Sequence, residues 1–257
     1  MPRFLAARWP ADGSARRLLC FHHAGAGAMA FAGWRQRVGP GVAVVPVRLP
    51  GRESLRREAP ITDADRLLVE LTQDLGPLLD GPYGLYGHSL GALVAYRLAR
   101  HLVETGHRAP ALVAVGACPA PHLPSPLLAA GTARNLTDAQ LAGLLTDDAS
   151  VPEALLARRD WLRATLGTLR ADLRLAAGLR TAEPAPLPCP LWAFAGRDDP
   201  MVSVAQVAAW ERCTSSGFHL RTVAGGHFFV RDREVPAAVG AALHSAVPAP
   251  PPAETYF

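Results

Sequence analysis

The stretch that decides the fold is Tyr83-Gly84-Leu85-Tyr86-Gly87-His88-Ser89-Leu90-Gly91, in which an apolar run leads through Gly-x-Ser-x-Gly into a helical pattern. A serine held in a strained turn between a strand and a helix needs glycine on both sides, because larger side chains would collide with the neighbouring backbone. Such a turn lifts the hydroxyl clear of the sheet and points the first N–H groups of the helix at the atom that is attacked. The stretch therefore predicts that Ser89 is a nucleophile. The alternative is a glycine-rich turn in which Ser89 is an ordinary helix N-cap.

Apolar runs of strand length alternate with helical patterns on both sides of this turn. Strands are predicted at residues 18–21, 42–47, 83–86, 111–117, 191–195 and 218–223, and helices at about 64–79, 90–103, 204–212 and 235–244. The strand runs are continuous in Val, Leu and Ala, which is typical of strands buried on both faces of a parallel sheet. We therefore expect an α/β fold with a mostly parallel sheet flanked by helices.

Residues 124–186 interrupt the alternation, because their patterning is only helical. One predicted helix has leucines on one face and arginines on the other, namely Leu162, Leu166, Leu169 and Leu173 against Arg159, Arg163, Arg170 and Arg174. We expect this insertion to form a lid over the strand ends, the alternative being a helical subdomain that only packs and covers. Residues 1–247 are predicted to form one domain, and the Pro-rich residues 248–257 a disordered tail.

Composition indicates a soluble cytoplasmic enzyme. The 257 residues suffice for one large α/β domain, and no apolar run approaches the roughly 18 residues of a membrane span. The four cysteines are widely spaced, which favours buried thiols over disulfides or zinc ligands. A net charge of +4 is too small to indicate nucleic acid but is compatible with an acidic partner.

Two later segments supply the partners that a catalytic serine requires, in the chain order serine, acid, histidine that is typical of α/β-hydrolases. A predicted strand runs into Gly196-Arg197-Asp198-Asp199-Pro200, and the spacing from the glycine favours Asp199 over Asp198 as the acid. The next strand runs into Gly225-Gly226-His227-Phe228-Phe229, where the glycines allow a turn and the aromatic rings shield the imidazole. We therefore predict His227 as the general base.

An oxyanion hole in this fold takes one N–H from the residue after the nucleophile, here Leu90, and one from the loop after an early strand. That loop is His22-His23-Ala24-Gly25-Ala26-Gly27-Ala28, and we predict Ala24 as the second donor. The same loop admits a competing interpretation, since residues 25–30 match the G-x-G-x-x-A fingerprint of a dinucleotide site and Arg48 could meet the 2′-phosphate of NADP. The residues between strand and glycines lengthen a turn that must be tight, which disfavours an NADP-binding oxidoreductase.

Several motifs together resemble the type II thioesterases, the free-standing α/β-hydrolases that accompany polyketide and nonribosomal peptide synthases. Residues 20–27 are similar to the family's C-F-P-H-A-G-G, residues 49–53 to its P-G-R-E loop, 196–200 to G-D-R-D-P and 225–229 to G-G-H-F-F. His22 stands where the family has proline and Ala26 where it has its second glycine. We expect the oxyanion hole to survive, because alanine still permits close approach of the backbone.

The resemblance implies an α/β-hydrolase fold with a helical lid, and an editing thioesterase that removes aberrant or stalled acyl units from the phosphopantetheine arm of a carrier protein. It implies no metal and no organic cofactor. Because carrier proteins are acidic, Arg52, Arg163 and Arg170 are candidates for docking, although each also has a structural interpretation as a turn residue or a solvated helix face. The alternatives are a general carboxylesterase or fatty-acyl thioesterase acting on small acyl substrates, and an inactive hydrolase-fold binding protein.

Overall fold

Six parallel strands form one sheet in the computed structural model, which describes residues 2–6, 16–125, 128, 135–146 and 153–247. The strands are β1 (Arg16–Phe21), β2 (Val42–Val47), β3 (Tyr83–His88), β4 (Leu112–Gly116), β5 (Leu191–Gly196) and β6 (Phe218–Val223), in the order β2-β1-β3-β4-β5-β6. Because all pairings are parallel, the carboxyl ends of the strands lie along one edge, where α/β folds build their sites. The predicted α/β class and all the predicted strands are confirmed.

Helices cover both faces of this sheet. They are α1 (Ala64–Leu79), α2 (Leu90–Glu104), α3 (Asp138–Thr146), α4 (Glu153–Leu156), α5 (Arg159–Leu179), α6 (Val204–Ala208) and α7 (Glu234–Ala246). Helices α1 and α2 bury their apolar faces on one side of the sheet. On the other side α7 packs with three short 3-10 helices, Ala28–Phe31, Trp34–Gln36 and Phe229–Arg231. The helix predicted at residues 204–212 begins with a Ser203–Gln206 capping box and continues beyond Ala208 as a 3-10 helix.

The insertion at residues 124–186 is helical wherever the structure describes it as a regular element. Leu166, Leu169 and Leu173 of α5 form a small apolar cluster with Leu141 of α3, so the leucine stripe is the buried face of α5. The opposite face is exposed at Arg163 and at the neighbouring arginines 159 and 174. The predicted tail, residues 248–257, lies outside the described residues.

Candidate active site

Ser89 sits between β3 and α2 in a backbone conformation that few residues adopt, with φ 54° and ψ −114°. Its N–H donates to the carbonyl oxygen of Gly116 over 2.8 Å, which holds the turn against β4. The flanking glycines are required by close approach: a Cβ at Gly87 would lie 1.9 Å from the carbonyl oxygen of Gly91, and one at Gly91 would lie 2.0 Å from that of Phe21. The turn therefore has the strained geometry of a nucleophile elbow.

The structure brings His227 and Asp199 to this serine. The imidazole Nε2 of His227 lies 3.1 Å from Ser89 Oγ, and its Nδ1 lies 2.9 Å from Asp199 Oδ2. Both distances are within hydrogen-bond reach. Because a carboxylate only accepts, Nδ1 carries a proton, and Nε2 is then the acceptor that faces the serine hydroxyl. The arrangement suits a serine nucleophile with a histidine base.

Two backbone amides orient the carboxylate of Asp199. Its Oδ1 accepts from the N–H of Met201 over 2.8 Å and from that of Val202 over 3.1 Å, which leaves Oδ2 for the imidazole. The Asp199 side chain is 1% exposed. Asp198 is exposed and uses its backbone N–H to bond the carbonyl oxygen of Gly225. The geometry therefore favours Asp199 over Asp198 as the acid.

From the sequence no role was assigned to His88, which the structure places in contact with His227. Its buried ring lies beneath His227, and its Nε2 is 2.7 Å from the carbonyl oxygen of that residue. A carbonyl only accepts, so Nε2 is protonated and Nδ1 accepts from the hydroxyl of Tyr86, 3.1 Å away. Burial holds the pKa of Tyr86 well above its ordinary value of 10, which keeps that hydroxyl a donor. His88 thus supports the main chain of His227.

The loop after β1 brings Ala24 to the same cavity wall as Ser89 and Leu90. The loop is braced from two sides, since the N–H of Gly25 donates to Asp172 Oδ2 over 2.8 Å and Arg52 Nη1 donates to the carbonyl oxygen of Ala26 over 2.8 Å. This placement is compatible with the predicted oxyanion donors, the N–H groups of Leu90 and Ala24.

A cavity of about 330 Å³ opens onto Ser89 and His227. Helices of the insertion form part of its wall, through Leu144 of α3 and Leu173 of α5. The other described lining is also mostly apolar, including Leu93, Leu128 and Met201, and it contains no carboxylate, lysine or arginine. The cavity therefore suits an uncharged apolar group placed next to the serine hydroxyl.

The structure contradicts the expectation that Arg52 is available to a docking partner. Arg52 is 8% exposed, and its guanidinium forms a two-pronged ion pair with Asp172, at 2.7 and 2.8 Å. Arg170 is also engaged, donating to the carbonyl oxygen of Leu136 and to Asp138, which ties α5 to α3. Arg163 is exposed, and its role in docking stays a prediction.

The dinucleotide interpretation of residues 25–30 is wrong. Such a site needs an α-helix whose N-terminus faces the pyrophosphate, whereas the glycines here lead into the four-residue 3-10 helix Ala28–Phe31. Arg48, the candidate for a 2′-phosphate, donates to the carbonyl oxygen of Leu5 and faces Glu53 at 3.9 Å. Among the described residues there is also no group of histidine, cysteine and carboxylate side chains that could hold a metal ion.

The parallel sheet, the strained serine and the His227–Asp199 pair define the chain as a serine hydrolase of the α/β-hydrolase class. A family model described as a thioesterase domain matches residues 16–245. The chain therefore belongs to the thioesterase family, and it is a hydrolase that acts on thioesters.

Individual relatives agree with this assignment. The chain is similar to the RedJ thioesterase from the prodiginine biosynthetic pathway of Streptomyces coelicolor, with 34% identity, 94% of each chain covered and a TM-score of 0.80. It is similar to the type II thioesterase BorB from the borrelidin biosynthetic cluster, with 32% identity, 93% of this chain and 97% of BorB covered, and a TM-score of 0.80.

A third relative carries a different name. Linear gramicidin dehydrogenase LgrE of Brevibacillus parabrevis is 35% identical over 222 residues, which cover 84% of this chain and 82% of LgrE. The loop after β1 argues against dinucleotide chemistry in the present chain, as described above.

Within the part of the chain that the structure describes, no helix is both long and apolar enough to cross a membrane.

Proposed function

We propose that this enzyme is a type II thioesterase that hydrolyses acyl groups from the phosphopantetheine arm of a carrier protein in polyketide or nonribosomal peptide biosynthesis. Two similar proteins support the proposal. BorB is a type II thioesterase from the borrelidin biosynthetic cluster, and YbtT, which is 26% identical to this chain, is a type II thioesterase from the yersiniabactin NRPS/PKS biosynthetic pathway. In that setting the enzyme removes aberrant or stalled acyl units, so that the synthase resumes elongation.

The proposed reaction proceeds through an acyl-enzyme. His227 Nε2 takes the proton of Ser89 Oγ as the oxygen attacks the thioester carbonyl, and Asp199 stabilises the imidazolium that forms. Collapse of the tetrahedral intermediate breaks the C–S bond, and the imidazolium returns the proton to the departing thiolate. A water molecule then attacks the acyl-serine, with its proton passing to His227 and on to Ser89 Oγ, and the free acid is released.

The N–H groups of Leu90 and Ala24 are the proposed donors to the oxyanion. Both residues line the cavity together with Ser89. Backbone donors of this kind act on the charge that develops in the transition state, and losing one costs about 10²–10³ in rate.

The apolar cavity beside Ser89 is the observation that carries the substrate assignment. Its described wall offers no cation to pair with a carboxylate, so a malonyl group would lose hydration without gaining a partner. Acetyl, propionyl and longer uncharged acyl chains lose no such hydration. We therefore infer that the enzyme discriminates against malonyl groups, which a synthase still needs for elongation.

The test is release of acyl groups from one carrier protein loaded in turn with acetyl, propionyl, a longer acyl chain and malonyl. We expect the uncharged chains to be released at least about tenfold faster than malonyl, since an unpaired buried charge costs more than 1.4 kcal/mol. The Ser89→Ala variant is the control for background hydrolysis.

Equal or faster turnover of acyl-coenzyme A or of nitrophenyl esters would instead identify a fatty-acyl thioesterase or a general carboxylesterase. Failure of a fluorophosphonate to label Ser89 would identify an inactive binding protein.

The partner and the compartment are proposals as well. The exposed Arg163 offers a positive charge on α5, the helix whose Leu173 lines the cavity, and this charge suits an acidic carrier protein. The four cysteines are buried free thiols, which supports the cytoplasm as the compartment.

A further inference from the structure

Helix α5 carries one acid on its buried face. Asp172 is 1% exposed and lies between the leucines that pack α5 onto the rest of the insertion. Within the described residues Asp172 forms an ion pair with Arg52, which lies 120 positions earlier. A buried carboxylate loses its hydration and is retained only where it is fully hydrogen-bonded. The hydrogen bonds of Asp172 and Arg52 show which part of the chain this buried ion pair holds.

Both members of the pair hold the loop that follows β1. Asp172 Oδ2 accepts from the N–H of Gly25 over 2.8 Å, next to Ala24. Arg52 Nη1 donates over 2.8 Å both to this same Oδ2 and to the carbonyl oxygen of Ala26, and Arg52 is anchored in turn to the carbonyl oxygen of Pro50. Asp172 of the helical insertion therefore holds residue 25 directly, and it holds residue 26 through Arg52.

We propose that Asp172 is a positioning residue for the oxyanion hole, acting through the Gly25 amide and through Arg52, so that the hole is complete only while α5 is docked. The proposal rests on the proposed function, because it takes the Ala24 N–H as an oxyanion donor. Displacing a catalytic group by about 1 Å costs on the order of 10² in rate. Because the loop is held by Asp172 of α5, directly and through Arg52, catalysis depends on the position of that helix.

The first test is the variant Asp172→Asn, which keeps the shape of the side chain but turns an NH₂ group towards donors. We expect kcat on an acyl-pantetheine substrate to fall about 10- to 100-fold with KM within about threefold, because the defect lies in transition-state stabilisation. The dissociation constant of an alkylboronic acid, whose tetrahedral adduct places an oxygen in the hole, should rise by a similar factor. The dissociation constant of an alkyl-pantetheine thioether, which has no thioester carbonyl, should not change.

The matched control is Asp138→Asn. Asp138 bonds Arg170 of α5 from an exposed position on α3, so this variant loosens the insertion without touching the loop after β1. We expect its kcat and its boronic-acid affinity to stay within about twofold of wild type. A loss in Asp138→Asn equal to that in Asp172→Asn would overturn the proposal, since general loosening of the insertion would then explain both.

A second variant separates positioning from stability, in case Asp172→Asn fails to fold. The double substitution Arg52→Met with Asp172→Leu replaces a buried ion pair by apolar side chains, a change that proteins often tolerate. We expect a folded protein with the same selective loss of boronic-acid binding. Wild-type kcat and boronic-acid affinity in this folded variant would overturn the proposal. The wild-type enzyme measured alongside reports separately on the proposed function, which fails if that enzyme releases no acyl group.

Discussion

His22 makes the stability of the protein depend on pH in a way that one substitution can isolate. The ring is 2% exposed, and burial lowers the pKa of His22 to about 3 from an ordinary 6.5, with the Arg52 guanidinium lowering it further and Asp172 acting in the opposite direction. Its Nδ1 lies 2.8 Å from the carbonyl oxygen of His23, so Nδ1 carries the proton, while Nε2 has no hydrogen-bond partner among the residues that the structure describes. The folded protein therefore keeps this imidazole neutral.

The sign of the effect follows from proton binding. Between pH 6.5 and about 3 the unfolded chain binds a proton at His22 and the folded chain does not, so the free energy of unfolding falls as the pH falls. At about 1.4 kcal/mol per pH unit, the full effect is about 5 kcal/mol, present above pH 6.5 and lost by pH 3. Between pH 7 and 4.5 the loss is about 3 kcal/mol.

The assay compares urea unfolding of wild type and His22→Gln at pH 7 and at pH 4.5. Other groups titrate in both proteins and cancel in the difference, so wild type should lose about 3 kcal/mol more than the variant, which for a chain of this size corresponds to about 6–12 °C in Tm. His107→Gln, at an exposed position shortly after α2, is the control and should follow wild type. Parallel losses in wild type and His22→Gln would refute the reasoning, because His22 would then titrate alike in the folded and unfolded chains.

Three further predictions concern the elbow, the acid and the surface of α5. Asp199→Asn should lower kcat by about 10³- to 10⁴-fold, whereas Asp198→Asn should stay within about threefold; the reverse order in steady-state kinetics would reassign the acid. Gly91→Ala should lower Tm by about 10 °C or more, because the new Cβ would lie 2.0 Å from a backbone oxygen. The control is Gly167→Ala, where a Cβ has nothing within 4 Å, and an equal Tm for the two variants would contradict the clash. Arg163→Glu should raise KM for acyl-carrier protein by about two- to fivefold at low salt while sparing acyl-pantetheine, and no change on either substrate would remove this residue from the docking face.

The parts of the site that were predictable are those with local requirements. The strained turn that holds Ser89 needs glycine on both sides of the serine. The acid and the histidine each need a turn directly after a strand, which places Asp199 after β5 and His227 after β6. Turns of this kind need particular residues within a short stretch, and the segments around Asp199 and His227 contain them. Parallel strands then bring these turns to one edge, which is why three distant segments converge.

The parts that were not predictable depend on partners far apart in the chain. Arg52 looked like an exposed basic residue because nothing near it indicates the acid that buries it, 120 positions away. The available signal was Asp172 itself, an acidic residue beside Leu169 and Leu173 on the apolar face of a helix, where a charge must find a partner. The role of His88 could not be predicted because its contact is with the backbone carbonyl of His227. Every residue has such a carbonyl, so the sequence does not indicate which one a histidine contacts.

The central claim is that Ser89 carries the acyl group between the carrier protein and water. The most direct measurement mixes the enzyme with acyl-carrier protein, quenches within milliseconds and determines the mass of the peptide that contains residue 89. We expect the mass of the wild-type peptide to increase by one acyl group. With Ser89→Ala we expect neither this adduct nor released acid above background. Acid released by Ser89→Ala at the wild-type rate, with no adduct on the wild-type peptide, would contradict this claim.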